Sequence, residues 1–273
     1  MVAAAQKSGR LLSVIAQNRF RPEMMGLHAV LREGLAGRIL SAQVDSFWWR
    51  GPTYYDLAWR GTWEQEGGGP TLNHAVHHFD LLNWMMGTLP DTVEAMMANV
   101  DHPNSEVEDL SVAVLRYPDG ALGQITSSVV HHGQDQQLVF QGERARVSAP
   151  WRVFASVGRE NGFPDRAEDV ERELEAFYGA LPPLKHPRHL GQIEDVLTAL
   201  ETGRPPFIGG EDGRRTVELI AAVYGAAASA APVKLPLKPE DPWYRRESFM
   251  ARMPRFHKKS KSVERFGKND ITT

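Results

Sequence analysis

Cysteine is absent from the 273 residues, so the chain can build no disulfide framework, no thiolate nucleophile and no thiolate metal site. Long apolar runs are missing too: none reaches the ~18 residues that a transmembrane helix needs. No Gly-x-Gly-x-x-Gly occurs anywhere, and the nearest pattern, Gly67-Gly68-Gly69, is followed at its sixth position by Leu72. The usual glycine-rich turn that cradles a pyrophosphate is therefore not written here. Excess charge is lacking as well. With 31 basic against 34 acidic residues the formal charge is −3, which gives no general drive toward nucleic acid or membrane. The opening "MVAAAQKSGRLLSVIAQ" resembles a signal peptide only superficially, because Lys7 and Arg10 interrupt its apolar part, and a cytoplasmic location is expected.

What is present is globular material, 42% hydrophobic and 24% charged, sufficient for one large domain or two unequal ones. Residues 1–8 read as the last turns of a helix stopped by Gly9, and "LLSVIA" (11–16) as a short buried strand. Pro22 opens a helix through "EMMGLHAVLREGLAG". Residues 38–50 read as a strand by their β-branched and aromatic content. A polar, aromatic loop then leads to a helix at roughly 73–86. Strand-like runs follow at 92–100, 108–118, 120–132, 136–143 and 145–156, with Pro118-Asp119-Gly120 as a hairpin turn. Sequential hairpins imply a largely antiparallel sheet. Residues 167–181, 187–203 and 209–231 read as helices, and "VKLPL" (233–237) as a final edge strand. The tail, rich in Lys, Arg and Pro, is expected to wrap over a neighbour or to be partly disordered.

The chemistry concentrates in "EGGGPTLNHAVHHFDLLNWMMG" (66–87). On one helix Asn73, His77 and Asp80 share a face, His74, His78 and Leu81 form the adjacent row, and Ala75, Phe79, Leu82 and Met86 turn inward. The glycines leave room for a ligand to approach the backbone, and the helix start offers free N–H groups and a positive dipole end. A neutral histidine placed there can take a proton from an alcohol. Two other readings stay open on spacing alone. The histidines can cap the helix or line a wet interface, or they can join His131-His132 to hold zinc or manganese. No carboxylate stands at a convincing spacing, so no metal is assigned.

The same stretch is similar to the Gly-Gly-Gly…Asp/Asn…His…Asp-Leu-Leu…Trp…Gly segment of the glucose–fructose oxidoreductase/inositol dehydrogenase (Gfo/Idh/MocA) family. The resemblance extends to "VIAQNRFRPEMMGLHAVLREGLAGRILSAQV", to "YYDLAWRGTWE" and to "HLGQIEDVLTALETGRPPFIGGEDGRRTVELIAAVYGAAASAAPVKLPL", about residues 1–237 in all. It implies a two-domain oxidoreductase that uses NAD or NADP on sugars, inositols or related cyclic polyols. His77 falls where the family has its base. Asn73 stands where an aspartate is common; an amide cannot be the base but can hold a substrate hydroxyl or orient the imidazole. Asn73, Trp59 and Arg60 are expected to face substrate, and Asn18 and Arg19 cofactor. In the family the free sheet face serves self-association, which implies a homodimer or homotetramer.

Family members begin with a doubly wound dinucleotide domain, and its Lys-Pro pair supports catalysis. The only Lys-Pro here is Lys238-Pro239, in the tail. The expectation is a chain lacking most of that domain and unable to bind NAD(P) alone: residues 1–17 a remnant of it, 18–237 a substrate and oligomerisation domain, 238–273 a tail. The expected fold is α+β, a large, mostly antiparallel sheet with helices on one face. The competing classes are a non-catalytic carbohydrate-binding or assembly module and a metal-dependent lyase using the histidines.

Overall fold

Along "SVAVLR" (111–116), Ser111, Ala113 and Leu115 are buried while Val112 and Val114 are exposed. One sheet face must therefore meet helices and leave the other free. The computed structural model, which describes residues 1–266, shows that sheet. Its strands are β1 (Ile39–Phe47), β2 (Thr92–Ala98), β3 (Leu110–Arg116), β4 (Leu122–Ser128), β5 (Gln136–Gly142), β6 (Arg146–Ala149), β7 (Arg152–Phe154) and a short β10 (Val233–Lys234). They lie in the order β10-β2-β3-β4-β1-β5-β6-β7. Within this sheet only β1 and β4 run parallel, in register from Ser41↔Leu122 to Phe47↔Ser128. The intervening residues 48–121 supply the long crossover that a parallel pair needs. The remaining pairs are antiparallel. The turn at Pro118–Gly120 closes with Tyr117 N–H donating to the Ala121 carbonyl.

Helices α2 (Pro22–Arg32), α5 (Val76–Met86) and α8 (Gly210–Ser229) cover the inner face. Leu27, Val30, Phe79, Leu82, Ile220 and Val223 meet Leu115, Ile125, Leu138 and Phe140, all at most 2% exposed. Each such side chain contributes on the order of 1.5–3 kcal/mol of burial. Pro22 sits in the first turn of α2, where a missing N–H costs nothing. Further helices are α1 (Val2–Ser8), stopped by Gly9 at φ 63, then α3 (Trp63–Glu66), α4 (Pro70–Asn73), α6 (Glu168–Gly179), α7 (Arg188–Thr202) and α9 (Arg246–Met250).

Four expectations change. Residues 11–16 are not a strand: Ser13 makes one isolated bridge to Gly209 and Ile15 is 66% exposed. The run 145–156 divides into β6 and β7, and a separate hairpin follows, β8 (Ser156–Gly158) with β9 (Pro164–Arg166). The helix expected at 73–86 is broken between α4 and α5. The tail, as far as residue 266, folds over its own chain. Trp63 Nε1 donates to the Pro254 carbonyl at 2.8 Å, Phe256 N–H to Glu106 O at 3.0 Å, and Val263 bridges the segment around Leu57. Arg255 pairs with Glu106 and Lys261 with Asp56. Cations of the tail thus meet acids of the two loops it covers. Residues 267–273 lie outside the described part.

Candidate functional site

The three glycines fit the protein's own groups. Gly67 and Gly68 have φ of 85° and 159°, a region where a side chain is strained. A Cβ on Gly68 would stand 2.2 Å from the Tyr224 hydroxyl, and one on Gly69 2.0 Å from the Glu108 carbonyl oxygen. This corrects the expectation that the glycines open space for a ligand. Glu108, fully buried, accepts from Gly69 N–H at 3.1 Å, Thr71 N–H at 3.1 Å and Tyr224 O–H at 2.8 Å. Its carboxylate takes up free N–H groups at the start of α4. Burial pushes it up to about 7, against the hydrogen bonds from Tyr224 and Thr71.

Asn73 ends α4 and Val76 begins α5, so Asn73 and His77 do not share one continuous helix face. Asn73 Nδ2 donates to the Gly68 carbonyl at 2.8 Å. Among the described residues its amide oxygen has no hydrogen-bond partner. His77, half-buried in the first turn of α5, makes no side-chain hydrogen bond among the described residues. Burial pushes its pKa below the ordinary value; Asp80 opposes this and His189 adds to it. An imidazole so placed is neutral near pH 7 and free to accept a proton. His189, at the start of α7, was not among the expected site residues. It opens the "HLGQIEDV" stretch of the resemblance, which gave it no role, and only the folded chain brings it near His77.

The adjacent row turns elsewhere. His78, 3% exposed, faces β1, with Nδ1 at 3.0 Å from Ser46 Oγ, and Ser46 also accepts from Trp48 Nε1 at 3.2 Å. His74 lies between Trp48 and Tyr54, with ring centroids 5.6 and 5.9 Å away. Burial lowers His78 to about 4 and His74 to about 3.

Arg60 is held between the rings of Tyr54 and Trp59, 4.0 Å from each centroid, and pairs with Glu66 at 2.8 Å. Glu66 also accepts from Gly61 N–H. The pair and its two rings make a stiff wall in which Trp59 stays 46% exposed. Asn18 lies in a 3-10 turn, Gln17–Phe20, and its side chain makes no hydrogen bond among the described residues. Arg19, in the same turn, departs from its expected place facing a cofactor. It is 3% exposed, donates to both oxygens of Asp80 at 2.8 and 2.7 Å, and reaches Asp212 at 3.0 Å. Removing one partner of such a buried pair costs about 3–5 kcal/mol. Arg19 is thus the tie between the turn, α5 and α8.

Among the described residues no group of three or more His, Asp or Glu side chains is arranged to hold a metal ion. His131 instead stacks on Phe47 at 4.0 Å and meets Ser128 Oγ, while His132 lies against Trp49. No helix among those residues is long and apolar enough to cross a membrane.

The architecture is an eight-stranded, mostly antiparallel sheet backed by helices, with His77 in the first turn of α5 after the break at His74-Ala75. Residues 24–148 match the model of the GFO/IDH/MocA C-terminal domain, the family that the sequence resembles. The chain is 29% identical over 175 residues to myo-inositol 2-dehydrogenase of Thermotoga maritima, a match covering 62% of this chain and 49% of that one. Its fold resembles the WlbA dehydrogenase of Bordetella pertussis, solved with NADH and UDP-GlcNAcA, at 28% identity and TM-score 0.67. That match covers 87% of this chain and 67% of the other. The corresponding dehydrogenase of Chromobacterium violaceum, also with NADH and UDP-GlcNAcA, gives 28% identity and TM-score 0.70, covering 87% and 66%. The chain thus spans about half of the curated relative.

Proposed function

We propose that this chain is the substrate half of an oxidoreductase that converts a CH–OH group of a sugar or cyclic polyol to a carbonyl. The observation that carries the reading is His77: an imidazole kept neutral by burial, with no side-chain hydrogen bond among the described residues, four residues after an amide whose oxygen has no partner among them. The alcohol O–H gives its proton to His77, the O–C bond becomes a carbonyl, and the hydride leaves with its electron pair. Asn73 is tethered to Gly68 through its NH2 group and offers its oxygen to a neighbouring hydroxyl. Arg60 and Trp59 form the wall that orients the ring.

NAD or NADP is the hydride acceptor in this reading. The described residues contain no strand–glycine turn–helix unit to take its pyrophosphate, and Arg19 is spent on carboxylates. No residue here is therefore assigned to the dinucleotide. A different feature supports a second domain. Leu190, Ile193, Leu197 and Leu200, 52–62% exposed, form one apolar stripe along α7, the helix that carries His189. A stripe of that spacing is a packing face, and about a third of the WlbA chain has no counterpart here. On the free sheet face, Met96 at 81% exposure is registered with Val112 at 38%, and Val114 and Leu122 lie close by. This face suits a homodimer or homotetramer.

Calorimetric titration of the chain with NAD+, NADH, NADP+ and NADPH is expected to show no binding tighter than millimolar. Micromolar affinity for any of them would overturn the assignment of the dinucleotide to other residues. Fusing the dinucleotide domain of the Thermotoga relative ahead of Ala3 is expected to restore reduction of the nicotinamide by a cyclic polyol. Silence across inositols, hexoses and uronates, from a fusion shown to bind NADH, would count against the redox reading.

A further inference from the structure

A cavity of about 280 Å³ opens at the edge of the sheet, between α2, the start of β5, the β6–β7 turn and α6. None of His77, Asn73, Trp59 and Arg60 lines it. That volume is near the lower end of small-molecule sites, ~300–1,000 Å³, and suits a single ring.

Its lining divides into a flat apolar part and a few polar atoms. Trp151 and Tyr178 stack with centroids 3.8 Å apart and planes 11° from parallel, and Pro150, Leu138 and Met24 continue the wall. The Trp151 indole N–H is fixed by Glu175 at 2.9 Å, and Tyr178 is seated on α2 at Gly26, where a Cβ would come within 2.5 Å of its ring. The wall is therefore rigid. Against it stand three polar groups. His78, almost wholly buried, lines the cavity, and with Nδ1 engaged by Ser46 only its Nε2 is left to answer a ligand. Gln136 makes one long amide N–H contact, 3.5 Å, to the Phe47 carbonyl, and its amide oxygen has no hydrogen-bond partner among the described residues. Arg21, paired with Glu23, stands at the rim.

We propose that this cavity is a second carbohydrate-ring subsite, in which the apolar face of a pyranose or cyclitol lies against the Trp151–Tyr178 wall and its hydroxyls bond to His78 Nε2 and the Gln136 amide. A ring with one apolar face and a hydroxylated edge matches this lining, whereas a fully apolar ligand would strand His78 and Gln136. A neutral His78 has one donor and one acceptor nitrogen, so its free nitrogen can meet either side of a hydroxyl. The choice of ligand class rests on the sugar-oxidoreductase reading; the cavity itself does not.

The test uses the intact chain. Histidine-ring 1H–15N spectra and Trp fluorescence are recorded during titration with myo-inositol and with methyl β-D-glucopyranoside. The His78 ring resonances are expected to move saturably, at millimolar concentrations. Trp151→Ala and Gln136→Ala, both near the cavity rim and so safer for folding than a change at His78, should each raise the half-saturation concentration at least tenfold. His77→Ala should leave the His78 response unchanged. Fixed His78 resonances under both ligands, or an unaltered titration in Trp151→Ala, would overturn the subsite. Movement of the His77 resonances alone would do so too, while leaving the proposed function intact. A saturable His78 response beside an inactive fusion would count against the redox reading and not against the cavity.

Discussion

His77→Ala, made in a fusion that has regained activity, is expected to lower turnover by about 10²–10⁴, the usual scale of general-base catalysis. The argument rests on what each neighbour is already doing. His78 is committed to Ser46 on the sheet side, and His74 is confined between Trp48 and Tyr54. Asp80 is taken by both nitrogens of the Arg19 fork. Among the described residues of this stretch, His77 is the partly exposed histidine whose ring neither hydrogen-bonds nor packs on an aromatic neighbour; His74 lacks a hydrogen bond too, but it is enclosed by two rings. Asn73→Ala should cost less, because the amide holds a hydroxyl and moves no proton. Asn73→Asp carries its own penalty: the Nδ2 donor to the Gly68 carbonyl would be replaced by a carboxylate oxygen facing a carbonyl oxygen. Because burial keeps His77 below its ordinary pKa, the rate should hold through neutrality and fall only in acid, as the imidazole protonates. A fusion in which His77→Ala is silent and His78→Ala abolishes turnover without raising KM would place the base one helical row away.

The sheet was legible because its signals are local. Alternation in "SVAVLR" and the Pro118-Asp119-Gly120 turn need only a few residues each, and the strands they mark occur where expected. The parallel pairing of β1 with β4 is invisible at that range, since it depends on what residues 48–121 do together. The site was half legible. His77 and Asn73 could be picked out from one helix-like stretch, yet the break at His74-Ala75 that sets their relation comes from α4 being pinned by Glu108. That carboxylate lies beyond α5 and β2 in the chain. The glycines misled for the same reason, since Tyr224 and Glu108 fill the space that spacing alone makes appear empty. Arg19 shows the limit most plainly. A basic residue at a chain crossing reads equally as a cofactor contact or as a tie, and only Asp80 and Asp212, brought in by α5 and α8, decide for the tie.

Acid unfolding beginning well above the carboxylate range is the largest expected effect on stability. His78 is lowered to about 4 and His74 to about 3, in both cases chiefly by burial, from an ordinary 6.5. A folded-state pKa below the unfolded one means that the folded chain binds fewer protons than the unfolded chain. The stability this represents is fully present above pH 6.5 and is lost as pH falls toward 4. Each such histidine contributes a slope of about 1.4 kcal/mol per pH unit, with the share of His74 reduced by its partial exposure. His28, stacked on Trp84 at 3.8 Å and lowered to about 4, adds in the same direction. Glu108 opposes them. Its pKa, raised to about 7, means that stability is gained as pH falls from 7 toward 4.5, offsetting roughly one histidine. The net expectation is a loss of about 3–5 kcal/mol between pH 6.5 and 4.5, a large part of the 5–15 kcal/mol margin of a typical protein. Urea unfolding at pH 7.5, 6.0 and 5.0 measures it. Glu108→Gln, freed of the opposing titration, should show a steeper fall. His74→Phe, whose ring suits the gap between Trp48 and Tyr54, should show a slope shallower by up to about 1.4 kcal/mol per unit. Equal slopes in the parent chain and in His74→Phe would mean that His74 protonates freely in the folded state, and the packing of the Trp48–Tyr54 gap described above would then be wrong.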